Sequence, residues 1–472
     1  MLRTHTCGEL RKSDAGKKVT ICGWADTIRS HGSLTFIDLR DRYGKIQIVI
    51  TKKSAGFEKL KDISMEANLK IQGEVKHRKP GTENKDIPTG EIELFAENLE
   101  ILNKCPTLPF ELNDPNVNED VRLKYRFLDL RTSAMQKNLL LRHKIIKAFR
   151  DFFDSQGFIE VETPLLGKST PEGARDYIVP SRVNPGKFFA LPQSPQLYKQ
   201  LLMMSGYDKY FQIAKCLRDE DLRADRQPEF TQVDVEMSYV EEEDIYHTVE
   251  QAIKFTLKQA LNIDIKTPFQ RISYDKAMKE YKSDKPDLRK DKNNPKELAF
   301  AWIVDFPMFE YSQEEKRYVA AHHPFCMPSD LEAMEKNPEK VKAKTYDLVL
   351  NGVELLSGSI RIHNPEIQSK VFNVLGISKK EAEEKFGFLL KALSYGAPPH
   401  GGFAIGLDRL VQILIEAPSI REVVAFPKNK AAQDTMLDAP DHVSQKQLKE
   451  NHISLDLPKP EKKKKSKEKK KK

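Results

Sequence analysis

Residues 35–50 of this chain, TFIDLRDRYGKIQIVI, alternate with a period of two, and farther along that period changes. Ile37 and Leu39 interleave with Phe36 and Asp38, Tyr43-Gly44 makes a turn, and Ile46, Ile48 and Ile50 interleave with Gln47 and Val49. Successive side chains on a strand point to opposite faces, so the pattern predicts strands with one core face and one face presenting Phe36 and Gln47. From Leu141 the spacing is helical instead. Leu141, Ile145, Ala148, Phe149 and Phe152 form one apolar stripe, Gly157 ends it, and FIEVET (158–163) alternates again before Pro164. Two periods in two regions call for separate cores, which suits a length of 472 residues. The fold class read from these patterns is α+β. A small all-β unit covers 1–104, a Pro-, Asn- and Arg-rich linker or hinge covers 105–134, and a larger domain of strands and helices covers 135–458.

Charge narrows the function classes. The net charge of +8 resides in KPEKKKKSKEKKKK (459–472), where ten lysines face two glutamates; the other 458 residues carry 68 basic and 68 acidic side chains. A broadly basic nucleic-acid surface is thereby excluded, and any RNA groove in the body must come from local clustering. The tail has nothing to bury and repels itself, so it is expected to be disordered, either a solubilising end or a weak, salt-sensitive RNA contact. No run of about 18 uncharged apolar residues exists, so no membrane span is expected. The start, Met1–Leu10, lacks the apolar stretch of a secretory signal. Cys7, Cys22, Cys105, Cys216 and Cys326 form no CxxC pair, which suits free thiols in a reducing cytoplasm.

A small all-β unit with an outward aromatic is the arrangement by which an OB-fold stacks bases on its strand 2–3 face. Three later segments carry a stronger signal: GFIEVETPLL (157–166), CLRDEDLRADRQPEFTQVDVEMSY (216–239) and GAPPHGGFAIGLDRL (396–410). In order, they resemble motifs 1, 2 and 3 of the class II aminoacyl-tRNA synthetases. Between them, TPEGARD (170–176), QSPQLYKQ (193–200), AHHPF (321–325) and NGVELLSGSIRIH (351–363) resemble the aspartate-specific signatures of the bacterial-type enzyme. The resemblance runs over nearly the whole chain. It implies an OB-fold barrel ahead of an antiparallel-sheet catalytic domain flanked by helices. It also implies ATP-dependent ligation of L-aspartate to tRNA(Asp) through aspartyl-adenylate, and a homodimer formed through motif 1.

Adenylate formation joins two anions, so the site must supply positive charge and alignment. The resemblance puts Arg218 on the α-phosphate and the attacking carboxylate, and Arg409 on the γ-phosphate. Both roles suit a planar fork of donors that does not deprotonate. It puts Asp347 and Glu354 on Mg²⁺, a hard ion that takes oxygen ligands. Phe230 would stack on adenine, with Glu220 and Gln227 on its polar edges and the ribose, and Asp219, Gly406, Leu407 and Asp408 belong to the same ATP site. Lys199 and Arg361 would hold the side-chain carboxylate of aspartate. Glu172, Ser194 and Asp234 would take its α-ammonium, with Gln196 nearby, and His322, or His323 instead, would close over it. Buried cations reject asparagine, whose amide leaves them unpaired. That argues against the asparaginyl enzyme, and the lysyl enzyme needs acids where these bases stand.

In the N-terminal unit the resemblance puts Arg29, Phe36 and Gln47 on the anticodon. His31 and Gly81 match the relaxed pattern of members that charge both tRNA(Asp) and tRNA(Asn). The alternative is a strictly discriminating enzyme in which both are ordinary loop residues. Two departures stand out. The bacterial-type insertion domain is absent near 285–298, where YKSDKPDLRKDKNNPKELAFAWIVDFPMFE (281–310) runs through only a polar stretch around Asp291–Lys296. Leu356 and Ser357 stand where relatives usually have glycines, which would tighten the ATP floor beside Glu354.

Overall fold

The computed structural model describes residues 1–170 and 173–457; Glu172 and the lysine-rich tail lie outside the described residues. The chain divides into two compact units, Met1–Val121 and a second from Arg122 onward.

In the first unit, β1 (Lys18–His31), β2 (Leu34–Asp41), β3 (Gly44–Thr51), β4 (Asn68–His77) and β5 (Ile92–Asn103) close into a barrel in the order β1-β2-β3-β5-β4. The β2–β3 turn is fixed by Asp41, whose Oδ1 accepts from the N–H groups of Tyr43 (2.8 Å) and Gly44 (3.2 Å). Ile37, Leu39, Ile46, Ile48 and Ile50 are wholly buried in the barrel core. Phe36 and Gln47 stand half-buried on the outer face, as the alternation requires. This is an OB-fold.

A short helix, α1 (Glu119–Lys124), spans the division in the sequence, and the second unit continues with α2 (Arg126–Asp129) and a long helix, α3 (Ser133–Ser155). Thr132 caps α3, its side chain accepting from the N–H of Met135. There follow β6 (Ile159–Glu160), β7 (Ile178–Pro180), β8 (Phe188–Ala190), α4 (Gln196–Met204), β9 (Lys209–Leu217), β10 (Glu229–Ser238) and α5 (Glu242–Leu261). Then come β11 (Gln270–Ser273), α6 (Tyr274–Tyr281), β12 (Phe300–Val304), β13 (Phe309–Ser312), β14 (Arg317–Ala320), α7 (Leu331–Lys336), β15 (Thr345–Leu350) and β16 (Val353–Ile360). The unit ends with α8 (Pro365–Val374), α9 (Lys379–Leu393), β17 (His400–Gly406), α10 (Leu407–Leu414) and α11 (Gln445–Glu450).

Eight of these strands form one sheet, ordered β11-β12-β15-β16-β17-β10-β9-β6, antiparallel at every pairing except the two at its edges. The apolar stripe of α3 (Ile145, Phe149, Phe152, Phe153) and that of α5 (Ile245, Val249, Ile253, Leu257) pack on one sheet face in a single core. The other face is left for the site. The strand expected over 158–163 is shorter: it runs over Ile159 and Glu160 at the sheet's edge, with one further backbone bond from the Val161 N–H to the Phe211 carbonyl (3.2 Å).

The stretch 105–134 contains more order than its sequence advertises. Arg126 is buried beside Asp129 and donates to the carbonyls of Arg421, Val424 and Ala425, while Arg122 bridges Asp129 and Glu422. A buried guanidinium satisfied by carbonyls and a carboxylate leaves no hydrophobic period to read.

Candidate functional site

Strand alternation builds the site. On β10, Val233, Val235 and Met237 face the helices, so Asp234 and Glu236 face the other way. On β15, Tyr346, Leu348 and Leu350 face the helices and Asp347 opposes them. Beside them β17 carries small residues on the polar face. A Cβ at Gly402 would lie 2.0 Å from Glu236 Oε2 and 2.2 Å from the Val235 carbonyl, so only glycine lets that carboxylate cross the strand. A cavity of about 1170 Å³ opens on this face.

The cavity is lined by Ser194, Gln196, Lys199, Asp234 and Arg361, with His323 on Arg361; His322 lines it too, but beside Glu354 and Lys285 rather than at the Lys199–Arg361 end. Arg218, Glu220, Gln227, Phe230, Glu354, Gly406, Asp408 and Arg409 line the rest. Asp219, Leu407 and Asp347 do not line it. Asp219 pairs through its N–H with the carbonyl of Arg175 (3.0 Å), Leu407 is wholly buried in the core, and Asp347 lies beneath the surface beside Ser357.

Four buried charges form the closed end. Lys199 Nζ donates to Asp234 Oδ1 (3.0 Å) and to the carbonyls of Phe403 (3.1 Å) and Val235 (3.4 Å), and lies 3.5 Å from Glu236. Arg361 donates to Glu236 through Nε (2.9 Å) and Nη2 (3.2 Å), and through Nη1 to His323 Nε2 (2.8 Å) and Ser359 (2.6 Å). Burial opposes the charge of Glu236, yet Arg361 and Lys199 hold its carboxyl below the usual carboxylate range. Burial pushes the Asp234 carboxyl up. Burial and then the charge of Arg361 hold the His323 imidazole well below its usual pKa, so it meets Arg361 as a neutral acceptor. Among the described residues, two side-chain atoms at this end have no hydrogen-bond partner, Gln196 Nε2 and Asp234 Oδ2. Buried polar atoms are ordinarily satisfied, so these two mark where a polar ligand belongs.

The other end is cationic and more open. The Arg218 guanidinium lies 5.1 Å from the centre of the Phe230 ring. Arg409 donates to the carbonyl of Glu354 (3.0 Å) and lies 3.7 Å from its carboxylate. Asp408 is structural here: one oxygen takes Arg142 and the other the N–H of Thr231 (2.8 Å), pinning the start of α10 to β10. Gln227 is similarly engaged, its amide paired in both directions with the backbone of Lys428 (3.0 and 2.8 Å). His322 packs edge-on against Phe306 at 4.7 Å.

On the barrel, described by itself, Arg29 donates to Asp38 (2.9 Å) and lies 3.4 Å from Gln47 Oε1, while Gln47 donates to Glu93 (2.7 Å). His31 meets the Phe36 ring edge-on at 6.1 Å. Gly81 sits at φ +85° with open space around it.

Residues 118–430 match the family model of class II tRNA synthetases for D, K and N, and residues 19–102 match an OB-fold nucleic acid binding domain. The chain belongs to the class II tRNA synthetases. This synthetase is 46% identical to the aspartate–tRNA(Asp/Asn) ligase of Caldanaerobacter subterraneus, over 96% of the chain and 98% of that protein. It is 43% identical to the aspartate–tRNA(Asp/Asn) ligase of Thermotoga maritima, over 97% of the chain and 100% of that protein. The first alignment spans 583 positions against the 472 residues of the chain, so the relative carries residues that this synthetase lacks. Among solved structures, Pyrococcus horikoshii asparaginyl-tRNA synthetase complexed with asparaginyl-adenylate superposes with a TM-score of 0.75 at 24% identity, over 90% of the chain and 98% of that one. At that identity the likeness concerns the fold. As a class II synthetase the protein is a ligase that uses ATP as substrate, and its OB-fold unit is a tRNA-binding module. Among the described residues no helix is long and apolar enough to cross a membrane.

Among the residues that escaped the sequence reading are Glu236 and Lys285 in the synthetase's cavity region and Glu93 on the barrel. Glu236 was legible in principle, because Asp234-Val235-Glu236 on a strand puts both carboxylates on one face. Glu93 lies on β5, and its approach to Gln47 depends on barrel closure. Lys285 pairs with Glu354 at 2.8 Å from a loop without periodicity, and nothing local announces it.

Proposed function

We propose that this synthetase activates L-aspartate with ATP and Mg²⁺ and transfers it to tRNA(Asp) and also to tRNA(Asn). The observation that carries the amino-acid choice is the closed end of the cavity, where Lys199 and Arg361 lie buried against Asp234 and Glu236. Those four charges sum to zero. The side-chain carboxylate and α-ammonium of aspartate also sum to zero, so it can enter without leaving a net buried charge. Asparagine cannot, since its ammonium arrives without the matching anion. Asp234 Oδ2 suits the ammonium, with Ser194 and Glu172 as further contacts, while Gln196 Nε2, a donor, suits a carboxylate oxygen nearby. The remaining donor capacity of Arg361 and the charge of Lys199 suit the side-chain carboxylate. His323, held on Arg361, closes the wall beside it, while His322 stands nearer Glu354.

The α-carboxylate oxygen then attacks the α-phosphorus, and the bond to the bridging oxygen breaks as pyrophosphate leaves. Arg218 would bridge carboxylate and α-phosphate, and Arg409 would hold the far phosphate, both preorganised before charge develops. Phe230 offers a ring face to adenine, with Glu220 and Gly406 along the nucleotide. Asp347 and Glu354 fit a divalent cation that arrives with the polyphosphate. They are two carboxylates rather than a full cage, and Asp347 Oδ1 is buried without a hydrogen-bond partner. Bound there, Mg²⁺ would neutralise charge on the triphosphate. In the second half-reaction a terminal ribose hydroxyl of tRNA attacks the adenylate carbonyl and AMP leaves.

Breadth toward tRNA(Asn) rests on His31 and Gly81, and on the names of the relatives. Arg29, Phe36 and Gln47 would read the anticodon. The synthetase is further proposed to act as a cytoplasmic homodimer, with 105–134 as the hinge between a barrel over 1–104 and a catalytic domain over 135–458. The test is pyrophosphate exchange with each of the twenty amino acids, then aminoacylation of both purified tRNAs. Exchange supported by aspartate alone is expected. A preference for tRNA(Asp) above about a hundredfold, roughly 2.7 kcal/mol, would leave a strictly discriminating enzyme.

A further inference from the structure

Lys285 lies in the segment between α6 and β12, at the point where relatives were expected to carry an insertion domain. That segment is stitched to the hairpin turn between β15 and β16. Asn351 accepts from the N–H of Ala299 (2.9 Å) and donates to the carbonyl of Glu297 (2.9 Å). A Cβ at Gly352, the other residue of that turn, would stand 3.3 Å from the side chain of Asp287. The loop is braced internally as well, by Ser283 Oγ under the N–H of Lys285 (3.0 Å) and by the Asp287–Arg289 pair (3.0 and 2.8 Å). The same two strands carry Asp347 and Glu354. The bracing therefore delivers the Lys285 ammonium to Glu354 Oε2 at 2.8 Å, on the cavity wall.

Glu354 is thus met by cations at both oxygens, Lys285 at Oε2 and Arg409 at Oε1. A magnesium ion needs carboxylate oxygens at about 2.0–2.1 Å in near-octahedral geometry. An ammonium at hydrogen-bond distance occupies that space and repels the incoming ion. Lys285 is nonetheless built to leave. Its side chain is 40% exposed, and lysine is a point charge on a flexible stem rather than a bidentate fork.

We propose that Lys285 is a tethered counter-cation that blocks the Asp347–Glu354 pair until nucleotide arrives, so that metal enters with the triphosphate rather than before it. The triphosphate gives the displaced ammonium another anionic partner on the same wall, which supplies the difference in free energy between the two positions. The proposal rests on the assignment of Asp347 and Glu354 as the metal site, and deepens it.

The test is Mn²⁺ binding to the full-length protein, followed by electron paramagnetic resonance with and without a non-hydrolysable ATP analogue. Without nucleotide, Lys285→Met is expected to bind Mn²⁺ at least fivefold more tightly than the parent, Lys285→Arg to bind no more tightly, and Lys285→Met with Glu354→Gln to lose the gain. A gain below fivefold in Lys285→Met, in a protein with unchanged circular dichroism, overturns the blocking role. If the analogue still brings Mn²⁺ to the parent and Glu354→Gln abolishes that uptake, the metal site itself stands. If no form takes up Mn²⁺ under either condition, both readings fall.

Discussion

Glu236 clamps Arg361 with both carboxylate oxygens, at 2.9 Å to Nε and 3.2 Å to Nη2, and neither side chain is more than 2% exposed. The clamp fixes the plane of the guanidinium before any substrate enters. Glu236→Gln keeps the volume but removes the charge and one acceptor. Aspartate-dependent pyrophosphate exchange is expected to fall at least tenfold, about 1.4 kcal/mol, mainly through KM for aspartate with KM for ATP little changed. Steady-state kinetics in both substrates checks it.

Lys199→Met removes a cation that neutralises Asp234 and lies 3.5 Å from Glu236. Losing one partner of a buried pair costs about 3–5 kcal/mol of stability, so Tm should drop alongside aspartate affinity. The expected signature is a loss in kcat/KM for aspartate far larger than any loss in ATP binding. Near-normal kcat/KM for aspartate in a folded variant would remove Lys199 from the pocket.

Arg218→Ala and Arg409→Ala should behave differently, because Arg409 meets Asp225 (3.5 Å) and Glu354 (3.7 Å) at more exposed positions than the buried Lys199–Asp234 pair. Each is expected to slow activation by orders of magnitude, since one preorganised donor on a developing charge typically supplies about 2.7–4 kcal/mol. Circular dichroism and Tm should stay near those of the parent. Single-turnover adenylate formation gives the rate.

His400 makes a pH prediction. It is wholly buried, with Nδ1 2.8 Å from the Pro398 carbonyl and Nε2 3.3 Å from Gln200, and burial lowers its pKa. A base whose folded pKa is depressed contributes stability above its unfolded pKa. That contribution is lost as pH falls from about 6.5 toward the folded value, at up to about 1.4 kcal/mol per pH unit. Chemical denaturation from pH 8 to pH 5 should show this slope, and His400→Gln should remove its share of it, leaving that of the His322 and His323 imidazoles, which burial also lowers.

What the sequence made legible follows from range. Periods of two and of 3.6 are local, so the β2–β3 hairpin and the stripe of α3 could be read directly from Ile37, Leu39 and from Phe149, Phe152. The motif residues could be named because short segments keep their order along the chain. What could not be read depends on closure. Arg122 reaches Glu422 across the whole unit, and Lys285 meets Glu354 only because Asn351 holds the loop against a hairpin far along the chain. Gln227 and Asp408 line the cavity, yet their side chains are engaged with backbone and Arg142, contacts that no motif encodes.

The two-faced sheet also shapes how this protein can change over generations. Along β10, Val233, Val235 and Met237 answer only to volume, so a drifting lineage can trade them for other aliphatics of similar size. Asp234 and Glu236, one residue away, answer to charge, length and angle at once, and no neighbouring substitution can stand in for them. Mutational tolerance along this strand should rise and fall with every step. A historical record of the reaction is written on alternate residues of a single strand, interleaved with positions free to forget it.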